Sequence, residues 1–295
     1  MKTIILTTAA LAAAVVVTGS AQQGQGQNPS QLPLSLGLRE KGSSLTGAFE
    51  GWYHDKDGSI RVLVGYMNRN TKQELDVPVG PNNRIEPGGP DQGQPTHFQS
   101  GRQWGVFTIK LPKDFADKKL TWTLVANGFT NTITLHTKAE YIIEPFEDAA
   151  SKNTPPSIRF EQGGKAFSGP PATIAASLST TAGKAFTIDA WVTDEGPKVN
   201  PMPPIPGFDP PPPGIKWSVF RAPGSGGTVT FDPPNPKIDK ATAKVTTNAT
   251  FAAPGEYILR MQANDSTGEG GGGFQCCWTN THVKVTVGQR STAGL

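Results

Sequence analysis

The chain has 295 residues, including 34 glycines, 27 prolines and two cysteines, and its formal net charge is +3. Nucleic-acid binding needs a clustered basic face. The lysines and arginines here are scattered among a similar number of acids, so we expect no nucleic-acid partner. Helical periodicity is nowhere sustained, and short alternating runs predict an all-β protein of two consecutive β-sandwich domains, as the length also suggests.

The N-terminus has the pattern of a secretory signal. Lys2 gives a positive start, Ile4 to Val17 form a short apolar run, and Gly19 to Ala21 form a small-residue cleavage site. We therefore expect a signal peptide over residues 1–21 and a protein exported to the periplasm or the cell exterior. The run is shorter than the ~20 residues that span a bilayer, and no later run suffices, so no transmembrane segment is expected. The polar, Gln-rich residues 22–37 predict a flexible leader.

The first domain is predicted over residues 38–145. Phe49 to Tyr53 and Ser59 to Met67 alternate like strands, and Asp57-Gly58 between them predicts a hairpin. A third strand is predicted at Gln73 to Val79. The proline-rich stretch Pro81 to Pro95 is predicted to be a surface connection, because proline removes ladder donors.

Alternation resumes after this connection in three further runs, and Asn127-Gly128 predicts a hairpin between the last two. These strands are expected at Trp104 to Leu111, Leu120 to Val125 and Thr132 to Thr137. Residues 146–156 are polar and end in two prolines, which indicates a linker.

The second domain is predicted over residues 157–288, followed by a tail over 289–295. It contains seven short candidate strands, which is typical of an immunoglobulin-like sandwich. They are Thr173 to Leu178, Ala185 to Val192, Ile215 to Phe220, Gly227 to Phe231, Thr242 to Thr247, Tyr257 to Ala263 and Thr281 to Val287.

The end of this domain carries a family resemblance. A Pro254-Gly255 turn leads into a strand that begins with Tyr257 and runs to Asp265, and Val283 to Val287 follow after a loop. This segment resembles the closing strands of polycystic-kidney-disease (PKD), cadherin-like and other bacterial immunoglobulin-like domains. The resemblance implies that Tyr257 packs at the sandwich corner. The first half resembles an exported bacterial β module to which no activity is attached.

The resemblance extends to one further position and fails at two others. Trp217 fits the tryptophan often found on the central strand of these domains. The proline-rich insertion Pro197 to Pro213 departs from the family pattern, as does the glycine-rich stretch before the cysteines. The insertion is expected to be an extended rigid loop or a polyproline ligand for a partner.

Cys276 and Cys277 are adjacent, and neighbouring side chains in a strand point to opposite faces. The register of the following valines places Cys277 toward the core and Cys276, with Trp278, outward. Exported proteins meet oxidising conditions, so two alternatives stay open: a vicinal disulfide in a bulged loop, or two reduced cysteines. A disulfide there would present sulfur beside Phe274 and Trp278 to a small apolar or sugar ligand.

Trp52 and Tyr53 are also neighbours, so one of them is expected to point away from the core of a regular strand. An exposed aromatic ring can stack on a sugar, whereas a buried one fills the core. The predicted ligand-binding residues are therefore Trp52, Tyr53, Phe274 and Trp278.

Metal binding and catalysis receive no support from the sequence. The stretch from His54 to Gly58 contains a fragment of a calcium loop but lacks its remaining ligands, so a hairpin turn is the simpler interpretation. The four histidines are far apart. No nucleophile elbow, phosphate loop or paired-histidine motif is present. We expect no metal, no cofactor and no enzymatic activity.

Together these features predict an exported, non-catalytic binding or structural module. Its expected partner is a protein or a glycan at the cell envelope. Two alternatives are a carbohydrate-binding protein that uses exposed aromatic residues and the accessory domains of a secreted hydrolase.

Overall fold

The computed structural model describes residues 39–199, 211–224, 227–265 and 276–289. Within these ranges the regular secondary structure consists of β-strands and short 3-10 segments, which confirms the predicted all-β class, and no helix there is long and apolar enough to cross a membrane. Leu38–Leu295 form one compact unit. The predicted signal peptide, leader and most of the proline-rich insertion lie outside the described residues.

The first half contains eight strands and one short 3-10 turn, Ala139–Tyr141. Two three-stranded sheets, β1-β2-β6 and β4-β7-β8, enclose a common hydrophobic core, and β3 pairs with β5. The strands are β1 Leu45–His54, β2 Ile60–Asn68, β3 Leu75–Asp76, β4 Asn83–Glu86, β5 His97–Phe98, β6 Gly101–Lys110, β7 Leu120–Ala126 and β8 Phe129–Leu135.

Both hairpins predicted from turn residues are confirmed. Gly58 adopts a φ of 77° between β1 and β2, a conformation that glycine reaches without steric cost. Asn127 and Gly128 both have positive φ between β7 and β8, as a two-residue type I′ turn requires. Local turn chemistry therefore fixes the register of these pairs.

The prediction that Pro81 to Pro95 is only a surface connection is wrong. Its residues 83–86 form β4, which pairs with β7 at the edge of a sheet. Asn83, Ile85 and Gln94 are fully buried. The prolines flank this short strand rather than interrupt it, and an edge strand pairs along one side only, so proline is tolerated beside it.

The described part of the second half contains eight strands in two four-stranded sheets, β10-β16-β15-β12 and β13-β14-β11-β9. Strand β10 pairs with β16 in parallel, and the pairs β9–β11, β11–β14, β13–β14, β12–β15 and β15–β16 are antiparallel. The strands are β9 Ser157–Arg159, β10 Ile174–Thr181, β11 Ala185–Thr193, β12 Gly214–Arg221, β13 Val229–Asp232, β14 Lys244–Phe251, β15 Gly255–Asn264 and β16 Trp278–Gly288.

This half is an immunoglobulin-like sandwich, as predicted. Tyr257 is buried, and its hydroxyl donates to the carbonyl of Ala253 at 2.8 Å, which matches the corner tyrosine that the resemblance implied. Trp217 is buried on β12 beside Phe231. The predicted domain boundaries stay predictions, because Phe220 of this half belongs to the hydrophobic core of the first half.

Candidate functional site at the junction of the two sandwiches

The first and second sandwiches meet where β16 begins. Trp278 packs with Tyr53, Leu63 and Ile143 in a hydrophobic cluster separate from both main cores. Its ring lies against the backbone of Gly105 in β6, where a Cβ atom would come within 1.9 Å of Cη2 of the tryptophan. Gly105 has a φ of 52°, so both its conformation and its contact require glycine. We call this region the junction.

Side chains of β16 also hydrogen-bond to the backbone of β6 across the junction. The amide nitrogen of Asn280 donates to the carbonyls of Trp104 at 3.2 Å and Gly105 at 2.9 Å. Nε2 of His282 donates to the carbonyl of Val106 at 3.0 Å. Strand β6 lies at the edge of its sheet, so these side chains satisfy acceptors that an edge leaves unpaired.

Charged groups are buried in the same region. Glu50 accepts from Nη2 of Arg102 at 2.6 Å and from the backbone N–H of Gly105 at 2.7 Å. Burial raises the pKa of Glu50, while Arg102 and the Gly105 N–H oppose that rise. Arg260 of β15 donates to the side-chain oxygen of Gln103 at 2.6 Å, and burial lowers the pKa of this arginine. The bond from Arg260 to Gln103 joins the second sandwich to the first, and because a buried charge needs its partners it favours one docking geometry.

His282 is a buried imidazole at the centre of the junction. Burial, together with Arg260 and Arg221, lowers its pKa to about 3, and the bond to the Val106 carbonyl opposes this shift. Its ring lies 4.0 Å from the ring of Phe220. The imidazole is therefore neutral at physiological pH.

The expectation that Trp52 or Tyr53 is exposed is wrong, because their exposed fractions are only 9% and 1%. Trp52 faces the first core, and its indole nitrogen donates to the carbonyl of Lys138 at 2.7 Å. Tyr53 points to the other face, as alternation predicted, but Trp278 and Phe146 cover it there. Neither ring presents the exposed surface on which the ligand-binding prediction depended.

The two cysteines form a vicinal disulfide, one of the two alternatives that the sequence left open. Trp278 lies on the face opposite the second core, as its register predicts, but the expected exposure of Cys276 and Trp278 is wrong, since their exposed fractions are 7% and 2%. Cys276 Sγ lies 3.7 Å from the carbonyl oxygen of Asn153, so the segment between the sandwiches covers it. The ligand-facing role predicted for Phe274 lies outside the described residues.

The histidines do not converge on a metal site. Among the described residues, no group of three or more His, Cys, Asp or Glu side chains is placed to hold a metal ion. His97 instead lies between Asp76 at 2.8 Å and Glu74 at 3.1 Å. Burial opposes protonation of His97, but the bonds to both carboxylates outweigh it and raise its pKa to about 9. The stretch around Asp57 is the β1–β2 turn.

One exposed aromatic cluster was missed by the sequence analysis. The ring of His136 lies 4.7 Å from that of Phe49 and 4.8 Å from that of Tyr141, which is 49% exposed. Phe49 is on β1, whereas the other two residues follow β8. Alternation within one strand gives no sign of a cluster assembled from separate segments.

Comparison with known proteins gives no family. No protein-family model matches the chain, and no curated protein matches it. Among solved structures, the chain is similar to domains 4 and 5 of the S-layer protein SbsC, with 13% identity and a TM-score of 0.24 over 83% of this chain and 98% of that chain.

Two further solved structures show similarity of the same degree. A tandem of immunoglobulin domains from titin is 8% identical, with a TM-score of 0.22 over 84% of this chain and 100% of that chain. The adhesin InvE of Yersinia pseudotuberculosis is 12% identical, with a TM-score of 0.24 over 83% of this chain and 58% of that chain.

Proposed function

We propose that the protein is an exported, non-catalytic structural or binding module of the cell envelope that acts through contacts with other proteins. The junction is the observation that supports this proposal. It buries Trp278, Asn280 and His282 of the second sandwich against the first. Two domains joined only by a polar linker move relative to each other by default, whereas a large buried interface prevents such motion.

The chemistry of the junction supports a fixed orientation of the sandwiches. Arg260 of the second sandwich is buried, and it donates across the junction to the side-chain oxygen of Gln103 in the first. Sliding one sandwich along the other would leave buried charge without a partner, at a cost of several kcal/mol. A rigid pair of sandwiches holds its exposed ends at one distance and one angle, which suits a structural or adhesive role.

The carbohydrate-binding alternative loses its original basis, because Trp52 and Tyr53 are buried. The proposal is tested by fractionating the cells that make the protein and by titrating purified mature protein onto their envelope fraction. We expect the protein in the exported fractions, without its first 21 residues, and saturable binding that protease treatment of the envelope abolishes.

Three results would contradict this function. They are recovery of the full chain from the cytoplasm, absence of saturable envelope binding, and hydrolysis of ester or glycoside substrates that is lost on substituting a carboxylate. A panel of such substrates should give rates equal to buffer alone.

A further inference from the structure

A cleft of about 270 Å³ opens beside the junction. Three segments that are distant in sequence form its walls, namely the β1–β2 turn, the region around Phe146 and residues 165–173. Asn280 and Thr281 of β16 also line it. Clefts at the meeting of two domains are preferred places for ligand sites. Nothing in the proposed structural role uses this one.

The charges lining the cleft do not balance. Asp55 pairs with Arg61, whose Nε lies 2.5 Å from Oδ2 of the aspartate. Asp57 pairs with Lys110 at 3.1 Å. Within the described ranges no carboxylate pairs with either Lys56 or Lys165. Two uncompensated ammonium groups therefore line the cleft, which favours an anionic ligand.

Each of these lysines is held over an aromatic ring of the cleft. Nζ of Lys56 lies 4.8 Å from the ring centroid of Phe146, and Nζ of Lys165 lies 5.2 Å from that of Phe167. A cation over a ring face gains up to about 1 kcal/mol at an exposed site, enough to bias its position. The ammonium groups keep donors for an incoming anion. The cleft thus combines two cations with two apolar rings.

The size and floor of the cleft narrow the ligand class further. Pockets for drug-sized molecules have volumes of ~300–1,000 Å³, so this cleft suits a single ring-sized group rather than an extended chain. Asn280 uses its amide nitrogen at the junction, and its Oδ1 is buried without a hydrogen-bond partner in the described part of the chain. That oxygen is withdrawn from solvent, so the lysines and phenyl rings are the groups left to contact a ligand.

We propose that this cleft binds one uronate residue, a sugar that carries a carboxylate. The carboxylate would lie between Lys56 and Lys165, and the sugar ring against Phe146 and Phe167. An acidic peptide would use the same lysines but has no pyranose ring for the phenyl rings to contact. This site goes beyond the structural role and does not depend on it.

The test is calorimetric titration of the mature protein with glucuronate, with glucose as the probe that lacks the charge and acetate as the probe that lacks the ring. We expect glucuronate to bind at least ten-fold more tightly than either, and more weakly as salt rises. K56Q and K165Q should each weaken glucuronate binding five-fold or more. K119Q, which removes an exposed lysine outside the cleft, should bind like the unmodified protein, and matching melting temperatures would show that all variants are folded.

Two further arms identify the source of the ligand. A glucuronate-terminated disaccharide that binds more tightly than the free sugar would assign the site to the end of a glycan, and equal affinities would assign it to the monosaccharide. No binding of glucuronate would overturn the proposal. So would equal affinity for acetate or for an acidic tripeptide, or K56Q and K165Q variants that bind as the unmodified protein does.

Discussion

The two halves of β16 lie in one strand but have different surroundings. Every residue from Trp278 to Val283 is buried, whereas from Lys284 to Gly288 exposed and buried residues alternate. The strand pairs with β15 throughout and with β10 only from His282 onward, so strand pairing does not explain why the first half is the more buried. Residues 278–283 pack against the second core on one face and against the first sandwich on the other. Residues 284–288 pack against the second core only. The alternation of residue types along a strand shows which face packs on the strand's own core. Whether the opposite face is also buried depends on a distant part of the chain.

The largest expected effect comes from removing the side chain that fills the junction. Trp278→Ala should lower the free energy of unfolding by about 4 kcal/mol, because it empties a buried site. Val287→Ala, in the alternating half of the same strand, is the matched control and should cost about 2 kcal/mol. Urea denaturation measures both. Equal losses would show that the junction contributes no more than an ordinary core position.

The contact between Trp278 and Gly105 can also be disrupted by changing the glycine. Gly105→Ala places a Cβ where the Trp278 ring lies and should cost about 3 kcal/mol or more. Gly101, also in β6, has a φ of 78° with nothing near its Cβ position. Gly101→Ala should therefore cost only the ~1–2 kcal/mol of left-handed strain. If both variants lose the same stability, backbone strain rather than docking explains Gly105.

The pH dependence of stability distinguishes the buried His282 from an exposed histidine. Its pKa of about 3 in the folded protein lies below the ordinary value of 6.5. Between these values the unfolded chain binds more protons, so stability should fall as pH falls from 6.5 toward 3.

Glu50, Arg260 and Arg221 also face this region, so a matched variant is needed to isolate the imidazole. His282→Gln should flatten the slope below pH 6.5 in thermal melts recorded across pH, while Glu50 still titrates in both proteins. An unchanged slope in the variant would show that another group is responsible.

The smallest effect is expected on the exposed face of the alternating half. Lys284 pairs there with Glu256 at 2.5 Å, and both side chains are about half exposed. Surface pairs of this kind contribute little to stability. Lys284→Gln should leave the melting temperature unchanged within error. A drop comparable to that of Gly105→Ala would contradict the contrast between the two halves of the strand.

Local signals in the sequence were sufficient for most of the fold. Asp57-Gly58 and Asn127-Gly128 fixed hairpins, and Tyr257 marked the corner of the second sandwich. These features depend on neighbours a few residues away, where turn chemistry and period act.

The candidate site was not predictable in the same way. Tyr53 alternates correctly, yet Trp278 covers it from the other sandwich. Lys56 and Lys165 share a cleft only because the sandwiches dock. Their spacing in the sequence does not predict that they lie close together. The missed residues are those whose environment comes from distant segments.

The position of the junction partners along the chain has a consequence for the order of folding. Asn280 and the Gly105 carbonyl that it caps are 175 residues apart. Bringing such distant segments together lowers the conformational entropy of the chain before any favourable contact forms between them. When the chain is synthesised from its N-terminus, the first sandwich therefore folds while the β6 edge is unpaired and the face around Tyr53 is exposed to solvent. The last strand completes the cover of both surfaces, so a truncation that removes β16 should leave exposed apolar surface on both halves.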